Sequence, residues 1–77
     1  MKKVSLAMMK ANHKGKIIDI SGGANLKNKL MNMGVHIGRE VIKVSHIGLR
    51  GPVVIKAGRS ILALGHNIAL KIDVEIL

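Results

Sequence analysis

Four carboxylates are the side chains of this sequence that are best suited to acid–base chemistry. They are Asp19, Glu40, Asp73 and Glu75. General acid–base catalysis needs an acid in an apolar pocket beside a substrate cleft. Asp73 and Glu75 lie on one face of the predicted C-terminal strand, which is typical of a solvated face. The sequence also has no cysteine, no Gly-x-Ser-x-Gly elbow and no phosphate-binding loop, so we predict no catalytic residue, no cofactor and no enzymatic activity.

Four histidines raise the question of a metal site. They are His13, His36, His46 and His66, and neighbours are separated by 10 to 23 residues. None forms an i, i+4 pair on a helix or a His-x-His pair on a strand, so a metal ion would need ligands that the fold or two subunits bring together. The five methionines are more typical of core packing than of metal binding. We therefore predict no metal ligand, and the sequence leaves open whether any of these histidines binds a metal.

The charge of the chain is strongly positive, with 13 lysines and arginines against four acids and a net charge of +9. Such a charge attracts nucleic acid, anionic lipid or an acidic protein, and it also keeps an apolar domain in solution. Basic residues that could contact phosphates are Lys27, Lys29, Lys43, Arg50, Lys56 and Arg59. Single-stranded RNA is usually bound by stacking bases on aromatic rings, and the sequence has none. The alternative that remains is a small basic barrel that binds RNA or other polyanions without sequence specificity.

Length and composition indicate a single domain, 1–77, that is rich in strands. A chain of 77 residues holds one compact core. Apolar residues make up 48% of it and all are aliphatic, which favours strands. The lack of cysteine favours a reducing compartment. The first apolar run ends at Lys10, too early for an export signal or a membrane span, so we predict a cytoplasmic protein that is not membrane-embedded.

One amphipathic helix is predicted over about Asn25–Met33. Leu26, Leu30 and Met33 stand at i, i+4 and i+7, with polar residues on the other side. Asn25 is the predicted N-cap, and Gly34 is the predicted left-handed residue that ends the helix. Because a helix of this length is marginal in isolation, its apolar stripe must pack on the rest of the domain.

Short strands joined by glycine turns account for most of the remaining chain. The predicted segments are Val4–Leu6, Lys16–Ser21, Arg39–Ile47, Val53–Ala57, Ser60–Leu64 and Lys71–Leu77, with a helical turn near Asn67–Leu70. Alternation places Ile18 and Ile20 on one face and Ile17 on the other; it also separates Ile42 and Val44 from Lys43 and Ser45. The pattern predicts a mainly β domain, at the border of all-β and α+β, with five to six strands. A closed or nearly closed barrel is favoured because closure removes exposed edges.

The order of these features resembles the FeoA family, ferrous iron transport protein A. The matching positions are Ser5-Leu6-Ala7, Gly15-Lys16-Ile17, Leu26, Leu30, Met33, Gly34, Gly38, Val41, Val44, Gly51-Pro52-Val53, Gly58, Leu62-Ala63-Leu64, Ala69, Ile72 and Val74. The family usually has leucine at the position of Met33, and a proline often precedes the glycine where this chain has His36-Ile37-Gly38. The resemblance implies an SH3-like β-barrel with one inserted helix.

The resemblance also implies a function. The resemblance implies that this chain is a free-standing, non-catalytic accessory protein of ferrous iron uptake. Such a protein would bind the cytosolic part of a membrane ferrous iron transporter with a GTPase domain. The matched positions are core and turn residues, so they imply a partner rather than a site. The residues that we predict to bind this partner are Lys27, Lys29 and Met31 on the helix, and Leu49 and Arg50 in the Gly48–Gly51 loop. The aliphatic surface is also compatible with a homo-oligomer.

Overall fold

Six strands and two helices make up the fold in the computed structural model, which describes residues 2–48 and 50–77. In chain order they are β1 (Lys3–Ser5), β2 (Lys14–Ile20), α1 (Ala24–Asn32), β3 (Glu40–His46), β4 (Val53–Ala57), β5 (Ser60–Leu64), α2 (His66–Ala69) and β6 (Ile72–Ile76). The predicted mainly β architecture, with an inserted helix and a later helical turn, is confirmed. Neither helix has the length and apolar composition needed to cross a bilayer, as far as the described residues extend.

The strands form one antiparallel sheet in the order β1-β6-β2-β3-β4-β5. The fold is SH3-like, but β1 and β5 do not pair with each other within the described residues, so the sheet is open. The sequence left a closed and a nearly closed barrel open. The described strands do not close into a barrel, while the predicted SH3-like β fold itself is confirmed. Two edges remain, formed by β1 and β5.

The core is aliphatic and draws on nearly every element. Its large buried members are Leu6, Met9, Ile17, Ile20, Leu30, Val35, Val41, Val53, Ile55, Leu64, Ile72 and Val74. The prediction that put Ile17 and Ile20 on opposite faces is wrong, because both are buried. The register of β2 against β6 shifts between Ile17 and Asp19. A bulge of this kind adds one residue and resets the alternation, which leaves Ile18 only half-buried.

The face of strand β3 that is turned toward the core is not the one with the most apolar residues. Ile42 and Val44 share one face as predicted, but this face is the outer one, where they are 38% and 41% exposed. The inner face carries Val41 and Lys43, and Lys43 is only 2% exposed. The residue expected on a solvated face is therefore in the interior.

Helix α1 begins and ends at glycines. Gly23 is the N-cap, with extended backbone and no side-chain hydrogen bond, so the prediction of Asn25 as N-cap is wrong; Asn25 lies inside the first turn. At the other end Gly34 has a φ of +86°, as predicted. Its N–H donates to the carbonyl of Met31 over 2.9 Å, and the N–H of Val35 donates to that of Leu30 over 2.8 Å. These two bonds are the Schellman pattern, which stops the helix and reverses the chain.

Candidate docking groove

A groove of about 500 Å³ lies between helix α1 and the segment that leads to β3. Its lining residues are Ile20, Lys27, Met31, Val35, His36 and Ile37. Ile20 and Val35 are buried and form its floor, while Met31 and Ile37 are each 58% exposed. The groove is therefore an apolar surface with one lysine and one histidine, and none of its lining residues is acidic.

The helix side of the groove is set by the packing of α1. Leu30 is 2% exposed and fixes the rotation of the helix about its axis. Lys27 and Met31 are four residues apart, so they lie one above the other on the same side of the helix. With Leu30 in the core, that side is turned toward the groove.

The opposite side of the groove is a short segment that is tied down at both ends. The Schellman bond from Val35 to Leu30 fixes its start. At its end Gly38 has a φ of +92°, and its N–H donates to the carbonyl oxygen of Ile17 over 2.7 Å. Between them, Nδ1 of His36 lies 3.1 Å from the carbonyl oxygen of Ile37, to which it donates. The exposed Ile37 is thus carried by backbone that hydrogen bonds anchor on both sides, which makes the groove a preformed feature.

Two of the five predicted partner-binding residues line this groove. Lys27 and Met31 do so, whereas Lys29 is exposed on the helix outside it. Arg50 is exposed and does not line the groove. Leu49 lies outside the described residues. The assignment of these five residues to a partner stays a prediction.

His36 and Ile37 are groove residues that sequence reasoning missed. The sequence predicts only a connecting turn from Val35 to Gly38. The available signal was a β-branched residue on each side of His36, between two glycines. Such bulky residues in a turn indicate that the turn packs against something.

Two of the four histidines meet beside the buried lysine. Nδ1 of His66 lies 3.3 Å from Nε2 of His46, and the ring centroids are 5.4 Å apart. Nζ of Lys43 lies 3.5 Å from Nδ1 of His46. A protonated lysine can only donate, so Nδ1 of His46 accepts and its Nε2–H donates to His66. Burial lowers the pKa of Lys43.

No three histidine or acidic side chains converge on a point that could hold a metal ion in residues 2–48 and 50–77. Two of the acids form ion pairs instead. A carboxylate oxygen of Glu40 lies 2.9 Å from Nζ of Lys14, and this hydrogen bond and charge hold the pKa of Glu40 below its ordinary value. Asp73 lies 3.6 Å from Nζ of Lys3 on the neighbouring strand.

Known proteins share both the sequence pattern and the fold. The FeoA domain profile matches residues 4–76. A crystal structure of an iron uptake regulatory protein (FeoA) superposes with a TM-score of 0.89 at 30% identity, covering 100% of both chains. A FeoA-like protein from Clostridium acetobutylicum gives 0.85 at 26% identity, covering 100% of this chain and 90% of that one. A manganese-dependent transcriptional repressor shares the fold alone, with a TM-score of 0.88 at 16% identity over 97% of this chain and 42% of its own. No curated protein matches significantly.

The chain has a small SH3-like β fold, as the order of its strands, its inserted helix and these superpositions show. The same fold makes up the whole of some chains and only a part of longer ones. Within this class, the chain belongs to the FeoA family. The resemblance drawn from the sequence is thereby confirmed. FeoA proteins are non-catalytic accessory proteins, and membership implies a role in ferrous iron transport.

Proposed function

We propose that this chain is a cytoplasmic, non-catalytic accessory protein of ferrous iron uptake that binds the cytosolic part of a membrane ferrous iron transporter with a GTPase domain. The contact is made by the α1 groove, which receives an aliphatic segment flanked by acidic residues. The observation that carries this proposal is the pairing of exposed Met31 and exposed Ile37 across an apolar floor, with Lys27 at the rim.

The chemistry of the groove selects this kind of partner. Exposed apolar side chains held on fixed backbone bind with little loss of conformational entropy, and methionine adapts its shape to different aliphatic groups. Lys27 lies in the groove and Lys29 close by on the same helix, within a chain of net charge +9. Acidic residues beside the docked segment would therefore speed association and fix its orientation.

Polyanion binding has less support from the structure than from the sequence. Lys43 is one of the six basic residues considered for phosphate contacts, and it is buried. Lys14 is engaged with Glu40, and Lys3 with Asp73. The other residues of that set lie apart along the chain: Lys27 and Lys29 on α1, Lys56 on β4, and Arg50 and Arg59 in loops. Lys56 does share a second pocket with Lys14 and Arg39, but the carboxylate of Glu40 lines the same pocket.

Two neighbouring lysines of α1 provide the test. Binding of the purified cytosolic part of the transporter is measured by isothermal titration calorimetry for the wild type, Lys27→Glu and Lys29→Glu. Both variants change the net charge equally, but only Lys27 lines the groove. We expect Lys27→Glu to weaken binding by about tenfold or more, and Lys29→Glu by much less.

Two results would contradict the proposal. Equal weakening by both variants would indicate a general charge effect rather than docking in the groove. Absence of binding to the transporter, together with binding of single-stranded RNA that is lost steeply as salt rises, would favour the polyanion alternative.

A further inference from the structure

The two edges of the open sheet are protected to different degrees. Edge strand β1 has three residues, and its Lys3 pairs with Asp73 of the neighbouring strand. Edge strand β5 has five residues, Ser60–Leu64, none of which is charged and none of which is proline. Natural proteins usually block an exposed edge by shortness, by lysine or by proline. Strand β5 has none of these protections.

The backbone of β5 offers a regular set of hydrogen-bonding groups. Ala57 and Ser60 pair across the two-residue turn formed by Gly58 and Arg59. Residues that close such a turn exchange hydrogen bonds, and the alternation of the ladder then directs the N–H and C=O groups of Ile61 and Ala63 toward the open edge. Within the described residues, no other backbone group bonds to either of them.

We propose that a second copy of this chain pairs with this edge, β5 against β5 in antiparallel orientation, so that the two sheets become continuous. A two-fold axis beside Leu62 places Ile61 opposite Ala63 of the second copy, and Ala63 opposite Ile61 of the second copy. The groups that face the open edge then form four hydrogen bonds, two for each such pair. This inference is independent of the groove and of the transporter.

The side chains of the strand favour pairing with itself. Ile61 is 68% exposed on the outer face, and in this register it lies against the small side chain of Ala63. Large residues opposite small ones interdigitate without a clash. Ile42 of β3 lies on the same outer face as Ile61 of β5. Lys56 of β4 stands between them and is opposite each of the two isoleucines. The register keeps Arg59 of one copy opposite Gly65 of the other, so the two Arg59 side chains stay far apart.

The charge of the chain predicts an unusual dependence on salt. Two copies of net charge +9 repel each other, whereas the β5 interface has no ionic attraction to lose. Added salt screens the repulsion, so association should strengthen as salt rises. An acidic partner or a polyanion would show the opposite trend. The short interface adds little area relative to the roughly 1,200–2,000 Å² of a stable complex, so the dimer should be reversible.

Sedimentation equilibrium over a range of protein and salt concentrations tests the proposal. The wild type is compared with Ile61→Lys and with the matched control Ile37→Lys, the same substitution at an exposed isoleucine away from the edge. We expect a wild-type dimer that tightens with salt, and a dissociation constant raised about tenfold or more by Ile61→Lys alone. Circular dichroism checks that each variant is folded.

Cysteine cross-linking tests the register, since the chain has no cysteine of its own. Leu62 of the two copies would form a non-hydrogen-bonded pair, with Cα atoms about 4.5 Å apart, a separation that a disulfide can span. Leu62→Cys should therefore form a disulfide-linked dimer readily, and Arg59→Cys should not. A wild type that stays monomeric at every salt concentration, equal effects of the two lysine variants, or equal cross-linking by both cysteine variants would overturn the proposal.

Discussion

The ammonium group of Lys43 lies 2.9 Å from the carbonyl oxygen of Ala7, to which it donates a hydrogen bond in the interior of the protein. A second bond of 2.5 Å joins it to the carbonyl oxygen of Met9. One side chain of β3 thus holds the connection between β1 and β2, from which Leu6, Ala7 and Met9 enter the core. The buried lysine satisfies two carbonyl groups that β-strand pairing does not reach.

Replacing this lysine should destabilise the fold. Lys43→Met keeps most of the volume but leaves the carbonyl oxygens of Ala7 and Met9 buried without this donor. We expect a loss of about 1–3 kcal/mol in the free energy of unfolding, measured with urea at neutral pH. Lys56→Met, on the exposed face of the adjacent strand β4, is the matched control and should change stability by less than about 0.5 kcal/mol. Similar values for the two variants would show that the buried bonds contribute nothing.

The lowered pKa of Lys43 predicts a pH dependence. In the window between this lowered pKa and the ordinary value of 10.5, the folded state holds fewer protons than the unfolded state. The contribution of Lys43 to the free energy of unfolding must therefore rise with pH across that window. We expect the wild type to gain stability relative to Lys43→Met as the pH is raised from neutrality toward 10.5. A difference between the two proteins that is constant with pH would contradict this account.

The burial of Lys43 also shows where sequence reasoning reaches its limit. Alternation in β3 was predicted correctly, because side chains on a strand must point to opposite faces in turn. Which face is inward depends on acceptors that other segments supply, here the carbonyls of Ala7 and Met9, and those partners are 36 and 34 residues away. The bulge in β2 is a similar case, since only the pairing with β6 determines where the extra residue falls.

Leu30 and Met33, two residues of the predicted apolar stripe of α1, should contribute unequally to the stability of the fold. Leu30 is 2% exposed, whereas Met33, which the sequence placed on the same stripe, is 37% exposed. We expect Leu30→Ala to cost about 2–5 kcal/mol and Met33→Ala less than about 1 kcal/mol in chemical denaturation. Equal costs would mean that Met33 is packed in solution.

A side chain with a Cβ at the C-terminal end of α1 should lower the stability of the fold. Gly34 is open to space but has a φ of +86°, so the penalty of Gly34→Ala is conformational rather than steric. A left-handed conformation costs an L-residue about 1–2 kcal/mol, and we expect that loss in thermal or urea unfolding. Gly34→Asn should lose less, because asparagine adopts this conformation more readily. If alanine and asparagine were equally tolerated, the helix would end differently from the structure described.

The N-terminal end of α1 offers a stabilising substitution. Gly23 has the extended backbone of an N-cap and no side-chain cap bond, and a Cβ added to it would meet no heavy atom within 4 Å. The first turn carries no acidic residue. Gly23→Asp would supply a cap acceptor and a favourable charge at the helix dipole, and should stabilise the fold by about 0.3–1 kcal/mol in urea unfolding. Gly22→Asp is a contrasting control that should destabilise it, because Gly22 has a φ of +120° and its Cβ would lie 2.8 Å from the side chain of Leu26.

The candidate site was predictable only in part. Lys27 and Met31 could be chosen from sequence because helical spacing places them together, on a side of the helix that the core stripe leaves free. His36 and Ile37 could not, because their position depends on the chain reversal at Gly34 and on the bond between Gly38 and Ile17. The groove exists only once these contacts have formed.

Chemical-shift mapping tests the central claim most directly. The isotope-labelled protein is titrated with the unlabelled cytosolic part of the ferrous iron transporter, and backbone amide shifts are followed. Docking in the groove predicts that the largest changes cluster at Lys27, Met31, His36 and Ile37, and that they disappear with Lys27→Glu. Changes confined to other surfaces, or no changes at saturating partner, would contradict the account.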